Sequence, residues 1–204
     1  MKATHRAGHR AGFTLIEILA VLLILSILIG ILVTSLFNAG EAANGKLTEA
    51  RLAQLETAMG RFENETGDYP PSTFDALAGA TGSANNRGIE AAIRALYEAS
   101  PDGYGMGDDV LDNMDGDTLA GMPLLELVDL WGNPVAYLRR QDYGTPQPYV
   151  TFDGATGVQV ENLVDARKHP KTGRWANHTS FQLISAGADG IFNTEDDLGN
   201  FMMD

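Results

Sequence analysis

Cysteine is missing altogether from these 204 residues, and histidine, lysine and arginine are scarce. Without cysteine there is no disulfide, so stability has to come from a core, a bound ion or assembly. Of 14 lysines and arginines, Lys2, Arg6 and Arg10 fall in the first twelve residues, leaving 11 basic residues against 27 acidic ones. A body so acidic does not seek nucleic acid or anionic lipid, and it attracts cations. Catalytic signatures are missing too: there is no G-x-S-x-G elbow, H-E-x-x-H pair, P-loop or G-x-G-x-x-G after a strand. His5 and His9 precede the first apolar stretch, and His169 and His178 lie in a polar segment. The expectation is a protein that is not an enzyme.

What is present is concentrated at the start. Residues 13–37, "FTLIEILAVLLILSILIGILVTSLF", are almost wholly apolar, with Glu17 as the single charge. About 20 helical residues cross a bilayer, and a basic flank of Lys2, Arg6 and Arg10 predicts an N-terminus that stays cytoplasmic. The run is far longer than the apolar region of a secretory signal peptide, although "GEA" before Ala43 imitates a cleavage site. An ordinary membrane anchor would leave Glu17 without a purpose. An acid inside a bilayer costs about 2.5–3.5 kcal/mol at a helix centre and less near its end.

The combination of Gly12, Phe13, Glu17 and the apolar run after a short basic leader resembles the class III signal of type IV pilins and type II secretion pseudopilins. The resemblance implies a cut by prepilin peptidase between Gly12 and Phe13 and methylation of the new amine at Phe13. Glu17 becomes the fifth residue of the mature chain. Set beside the Phe13 amine of a neighbouring subunit, its charge is neutralised and the packing register is fixed.

Further along, Leu52, Leu55, Met59 and Phe62 form one helical stripe, so the first helix is expected to continue past weak points at Gly40 and Gly45 and to end near Gly67, ahead of Pro70 and Pro71. Ile89, Ala92, Ile93, Leu96 and Tyr97 predict a second amphipathic helix. "PDGYGMGDDVLDNMDGDTLAGMP" reads as a long Gly/Asp-rich loop. Its "DNMDGD" fails as an EF-hand, since Leu111 would occupy the first ligand position and Met122 the last. An acidic surface loop is expected there. From Leu124 onward, "VAYL", "YVTFDG", "GVQVENLV" and "SFQLIS" read as short strands separated by turns, and Trp131 as a core aromatic beside the turn at residues 132–134.

The ending "FQLISAGADGIFNTEDDLGNF" offers only oxygen donors, which suits calcium and disfavours zinc or iron. Asp189 at one end and Asp196 or Asp197 at the other converge if the loop doubles back, with Asn193 and Thr194 supplying further oxygens. Both this loop, through Ser185, Gly187, Ala188, Asp189 and Gly190 and then Asp197, Leu198, Gly199, Asn200 and Phe201, and the earlier "DLWGNPVAY" resemble segments of the G-type major pseudopilin. There the resemblance implies a Ca2+ ion holding the last strands.

The expected architecture is α+β and pilin-like. A basic leader (1–12) precedes a spine helix (13–67, its part 13–37 in the membrane or filament core), and a periplasmic domain (68–204) carries the acidic loop 185–201 and a small antiparallel sheet. The expected role is a structural subunit of a type II secretion pseudopilus. Its expected partners are further copies of itself, prepilin peptidase, the inner-membrane assembly platform and minor pseudopilins, with no nucleic acid. A type IV pilus subunit, a minor pseudopilin and a membrane-anchored periplasmic binding module are the alternatives.

Overall fold

The computed structural model describes residues 14–74 and 84–201, the side chain of Asn38 excepted. The expected leader and the cut at Gly12 and Phe13 lie outside the described residues. The chain divides into two units, Met1–Ala42 and Ala43–Asp204.

Helix α1 spans Leu15–Thr66 without a break. Gly40 and Gly45 both stay inside it, because single glycines lower helix stability by only about 1 kcal/mol each. It stops where a backbone conformation with positive φ is needed: Gly67 has φ +87° and donates its N–H to the Glu63 carbonyl at 2.8 Å. Within the first unit, residues 14–37 are exposed at every position. They form a helix long and apolar enough to cross a membrane.

The second unit has its own core. The expected stripe of α1 packs into it, with Leu52, Leu55 and Met59 buried and Phe62 at its margin. Helix α2 (Arg87–Ala99) contributes Ile89, Ile93 and Leu96. Strand β5 (Ala136–Arg139) pairs antiparallel with β8 (Phe181–Ser185), and β8 pairs with β9 (Leu198–Gly199). Tyr137, Leu138, Leu183 and Ile184 from this sheet are completely buried. A separate antiparallel pair joins β6 (Gln147–Phe152) to β7 (Gln159–Val164). An α+β, pilin-like arrangement of one long helix and small antiparallel sheets results.

Two sequence expectations need correcting. The stretch read as one long loop contains strands β1 (Leu111–Asp112), β2 (Thr118–Leu119) and β3 (Met122–Pro123), and β4 (Glu126–Leu127) follows. β2 and β3 form a hairpin through Ala120 and Gly121, both at positive φ, and β1 pairs with β4 across it. Strands of two residues carry no alternation for a sequence pattern to detect. Trp131 is only half-buried, and the interior aromatic positions belong instead to Tyr137, Tyr149 and Phe181.

Polar contacts clasp the second half of α1 along its length. Arg51 donates to the carbonyls of Val128 and Asp129, Gln54 to that of Gly105, and Arg61 to that of Tyr104. The buried Thr48 hydroxyl accepts the Leu130 N–H at 3.2 Å.

Candidate functional site

The start of α1 is built by two side chains. Thr14 precedes the helix, and its hydroxyl oxygen accepts the Glu17 N–H at 3.3 Å. In return the Glu17 carboxylate accepts the Thr14 N–H at 2.7 Å and its hydroxyl at 2.8 Å. This reciprocal T-x-x-E arrangement is a capping box, which satisfies backbone donors that the first turn leaves unpaired. Its signature is the T-x-x-E spacing of "TLIE", which sequence reasoning on the charge of Glu17 alone did not use. Beyond it, Ser26, Thr34 and Ser35 return their hydroxyls to backbone carbonyls one turn earlier, so the apolar helix offers no unpaired polar group of theirs to lipid or to another helix.

In the C-terminal loop the chain does double back. Gly187 and Gly190, at φ +66° and +68°, make the turns, and the Asp189 N–H reaches the Asp196 carboxylate at 3.0 Å. Asp196 also accepts the Thr194 hydroxyl at 2.6 Å, and Asp189 accepts the Ile191 N–H at 2.8 Å. Asp197 has a different partner: its carboxylate is ion-paired with Arg167 and accepts the Asn193 N–H at 2.9 Å. The structure therefore brings Asp189, Thr194 and Asp196 together and hands Asp197 to Arg167. Asn193 serves the loop through its backbone, while its side chain leans towards the Leu163 carbonyl. The donors are all oxygens, as calcium requires, and Asp196 is the acid beside Asp189.

Residues 8–33 match the family model of the prokaryotic N-terminal methylation motif. The chain carries a type IV pilin-like N-terminal motif. No curated protein and no solved structure matches the chain. Prepilin peptidase processes such motifs, and the proteins that carry them are membrane-anchored structural subunits that assemble into filaments.

The head of this pilin-like chain carries two further polar centres that sequence reasoning did not place. The first is Asp129, the opening residue of "DLWGNP". Its buried carboxylate accepts the N–H groups of Trp131 and Asn133 at 3.0 and 2.9 Å and the Ser185 hydroxyl at 2.7 Å. Burial pushes its carboxyl up, and those hydrogen bonds oppose the shift. The motif thus locks a turn to the end of β8.

The second centre is acidic. Among the described residues, Glu90, Asp115 and Asp117 bring carboxylate oxygens within 4.8 Å of one another. Glu90 stands in the first turn of α2 and is completely buried, and neither of its carboxylate oxygens accepts a hydrogen bond. Glu126, also fully buried, accepts the Met114 N–H at 3.1 Å and the Asn86 amide at 3.0 Å. The same Asn86 amide reaches Asp115 at 3.3 Å, so one side chain links the two acids. Burial pushes the Glu90 carboxyl up to about 9, helped by Asp117, Asp115 and Glu126 and opposed by Arg87. Burial likewise raises Glu126, to about 7.

Proposed function

We propose that this chain is the major subunit of a type II secretion pseudopilus. The carrying observation is an acid near the start of a fully exposed apolar helix, within the matched methylation motif. After cleavage behind Gly12, the helices of residues 13–37 leave the inner membrane by packing against one another. Glu17 of one subunit meets the Phe13 amine of the next, which neutralises both charges and selects one register. The head faces the periplasm, and minor pseudopilins and the inner-membrane platform serve assembly.

Absence of cysteine supports a pseudopilin over a disulfide-closed adhesive pilin. In this reading calcium takes the place of that closure. Asp189 and Asp196, with oxygens of Asn193 and Thr194, would hold it, and Asp197 stays with Arg167. The ion would supply a cross-link between the two arms of the loop. Saturation to 100 times the dissociation constant would stabilise the head by about 2.7 kcal/mol. Chelator would remove that gain, and Asp189→Ala would remove the part of the calcium response that this loop supplies.

The mass of the N-terminus of membrane-extracted protein tests processing, and N-methylated Phe13 is expected. Glu17→Ala tests assembly: filament formation and secretion should both fall. A variant that supports both as well as the parent does refutes the register role. Loss of surface pili without loss of secretion would favour the type IV pilus subunit instead.

A further inference from the structure

We propose that Glu90, Asp115 and Asp117 form a binding site for one divalent cation of calcium size, separate from the C-terminal loop. The geometry comes first. Oxygens sharing one calcium ion at about 2.3–2.6 Å lie no more than about 5 Å apart. The three carboxylates, drawn from α2 and from the turn between β1 and β2, meet that limit, all within 4.8 Å of one another.

The second observation is Glu90 itself. It is fully buried, aimed at the two aspartates, and both its oxygens lack a hydrogen-bond donor. Burying a carboxylate without a partner is among the most expensive arrangements available to a protein. Alanine would fill such a helix position without that expense, as Ala91, Ala92 and Ala95 do in the same helix. A cation supplies what the protein atoms around Glu90 do not.

The surroundings are organised for the purpose. Asn86, at positive φ in front of α2, accepts the Val150 N–H and donates to both Asp115 and Glu126. Glu126 in turn accepts the Met114 N–H and so fixes the turn that carries Asp115. Asn113 donates its amide to the Asp117 carbonyl at 2.7 Å, and its own carbonyl oxygen is buried without a partner on the same turn. Cysteine is absent from the chain, and the set contains no histidine, so the donors are hard oxygens throughout. That chemistry selects calcium over zinc, and a site shaped by protein carboxylates suits calcium better than strongly hydrated magnesium. The turn read from sequence as a solvated acidic loop becomes a strap pinned to α2.

The test uses the full chain in detergent, stripped with EGTA, with bound calcium counted by equilibrium dialysis. Glu90→Gln and Asp117→Asn should each weaken the same one ion per chain by more than about tenfold, while Asp189→Ala should leave that ion in place. Melting gives the second readout. In EGTA, Glu90→Gln should melt no lower than the parent, because a neutral amide of the same shape replaces an acid that no protein donor satisfies. Added calcium should raise the variant's Tm by less than the parent's, the C-terminal loop alone responding. In an Asp189→Ala background the rise should be seen with Glu90 in place and lost when Glu90→Gln is added. Half-exposed Asp115→Asn carries the same test should Glu90→Gln fail to fold. A parent that binds no calcium at millimolar concentration overturns the site, as would variants that bind and respond as the parent does; Glu90 is then a protonated core residue.

Discussion

Glu17 has two claims on one carboxylate: the cap of its own helix through Thr14, and the proposed amine of a neighbour. Gln keeps the first and loses the second, because a capping box accepts either residue. Glu17→Gln should therefore hold the helix start while failing to assemble, whereas Glu17→Ala should lose both, with the cap worth about 1 kcal/mol. Circular dichroism of the detergent-solubilised chain beside electron microscopy of filaments separates the two effects. Full assembly of Glu17→Gln would show that charge is not what sets register. Asp129 invites a similar contrast. Asn in its place can still accept from the Trp131 and Asn133 amides and can donate to Ser185, so Asp129→Asn should lose less than about 1 kcal/mol. Asp129→Ala leaves a buried N–H at Asn133, a part-buried one at Trp131 and the Ser185 hydroxyl without their acceptor and should lose about 2–4 kcal/mol in denaturant titration.

Elements differ in how openly the sequence announces them. The 3.6-residue stripe of Leu52, Leu55 and Met59 marks α1 because that face has a core to enter, and α2 declares itself the same way. β5, β6, β7 and β8 are long enough to show their edges. β1 to β4 are not: each has two residues, and their pairing depends on Ala120 and Gly121 turning and on Glu126 meeting Asp112 across the chain. For the same reason the acid cluster was out of reach, since Glu90 and Asp117 are 27 positions apart and only the fold makes them neighbours. Where α1 ends, Asp68 is held by Arg139 of β5 at 2.6 Å, and that hydrogen bond lowers the Asp68 carboxyl below its ordinary 3.8. A lowered acid stabilises the fold above the unfolded value and loses that contribution as pH falls through the folded one. Asp68→Asn should thus be less stable than the parent at pH 7, by under about 1 kcal/mol for so exposed an acid. The difference should narrow in urea titrations as pH falls below the ordinary carboxylate range; a gap that stays constant down to low pH would mean that the contact acts through something other than charge.

At the scale of the molecule, two units divide the labour. The core begins at Leu52, and both tryptophans, Trp131 and Trp175, belong to the second unit. Tryptophan fluorescence in detergent should consequently report the same denaturant midpoint for Glu17→Ala as for the parent, even where assembly is lost. A shifted midpoint would mean that the two units do not melt independently. The first unit has a different character, for residues 14–37 have no buried position among them. Apolar surface of that extent has a large positive free energy of transfer into water. The subunit therefore has two habitable solvents, lipid and its own kind, and no stable station between them. In the proposed assembly, its departure from the one and its arrival in the other are a single handover, with the growing filament ready to receive each helix as the bilayer gives it up.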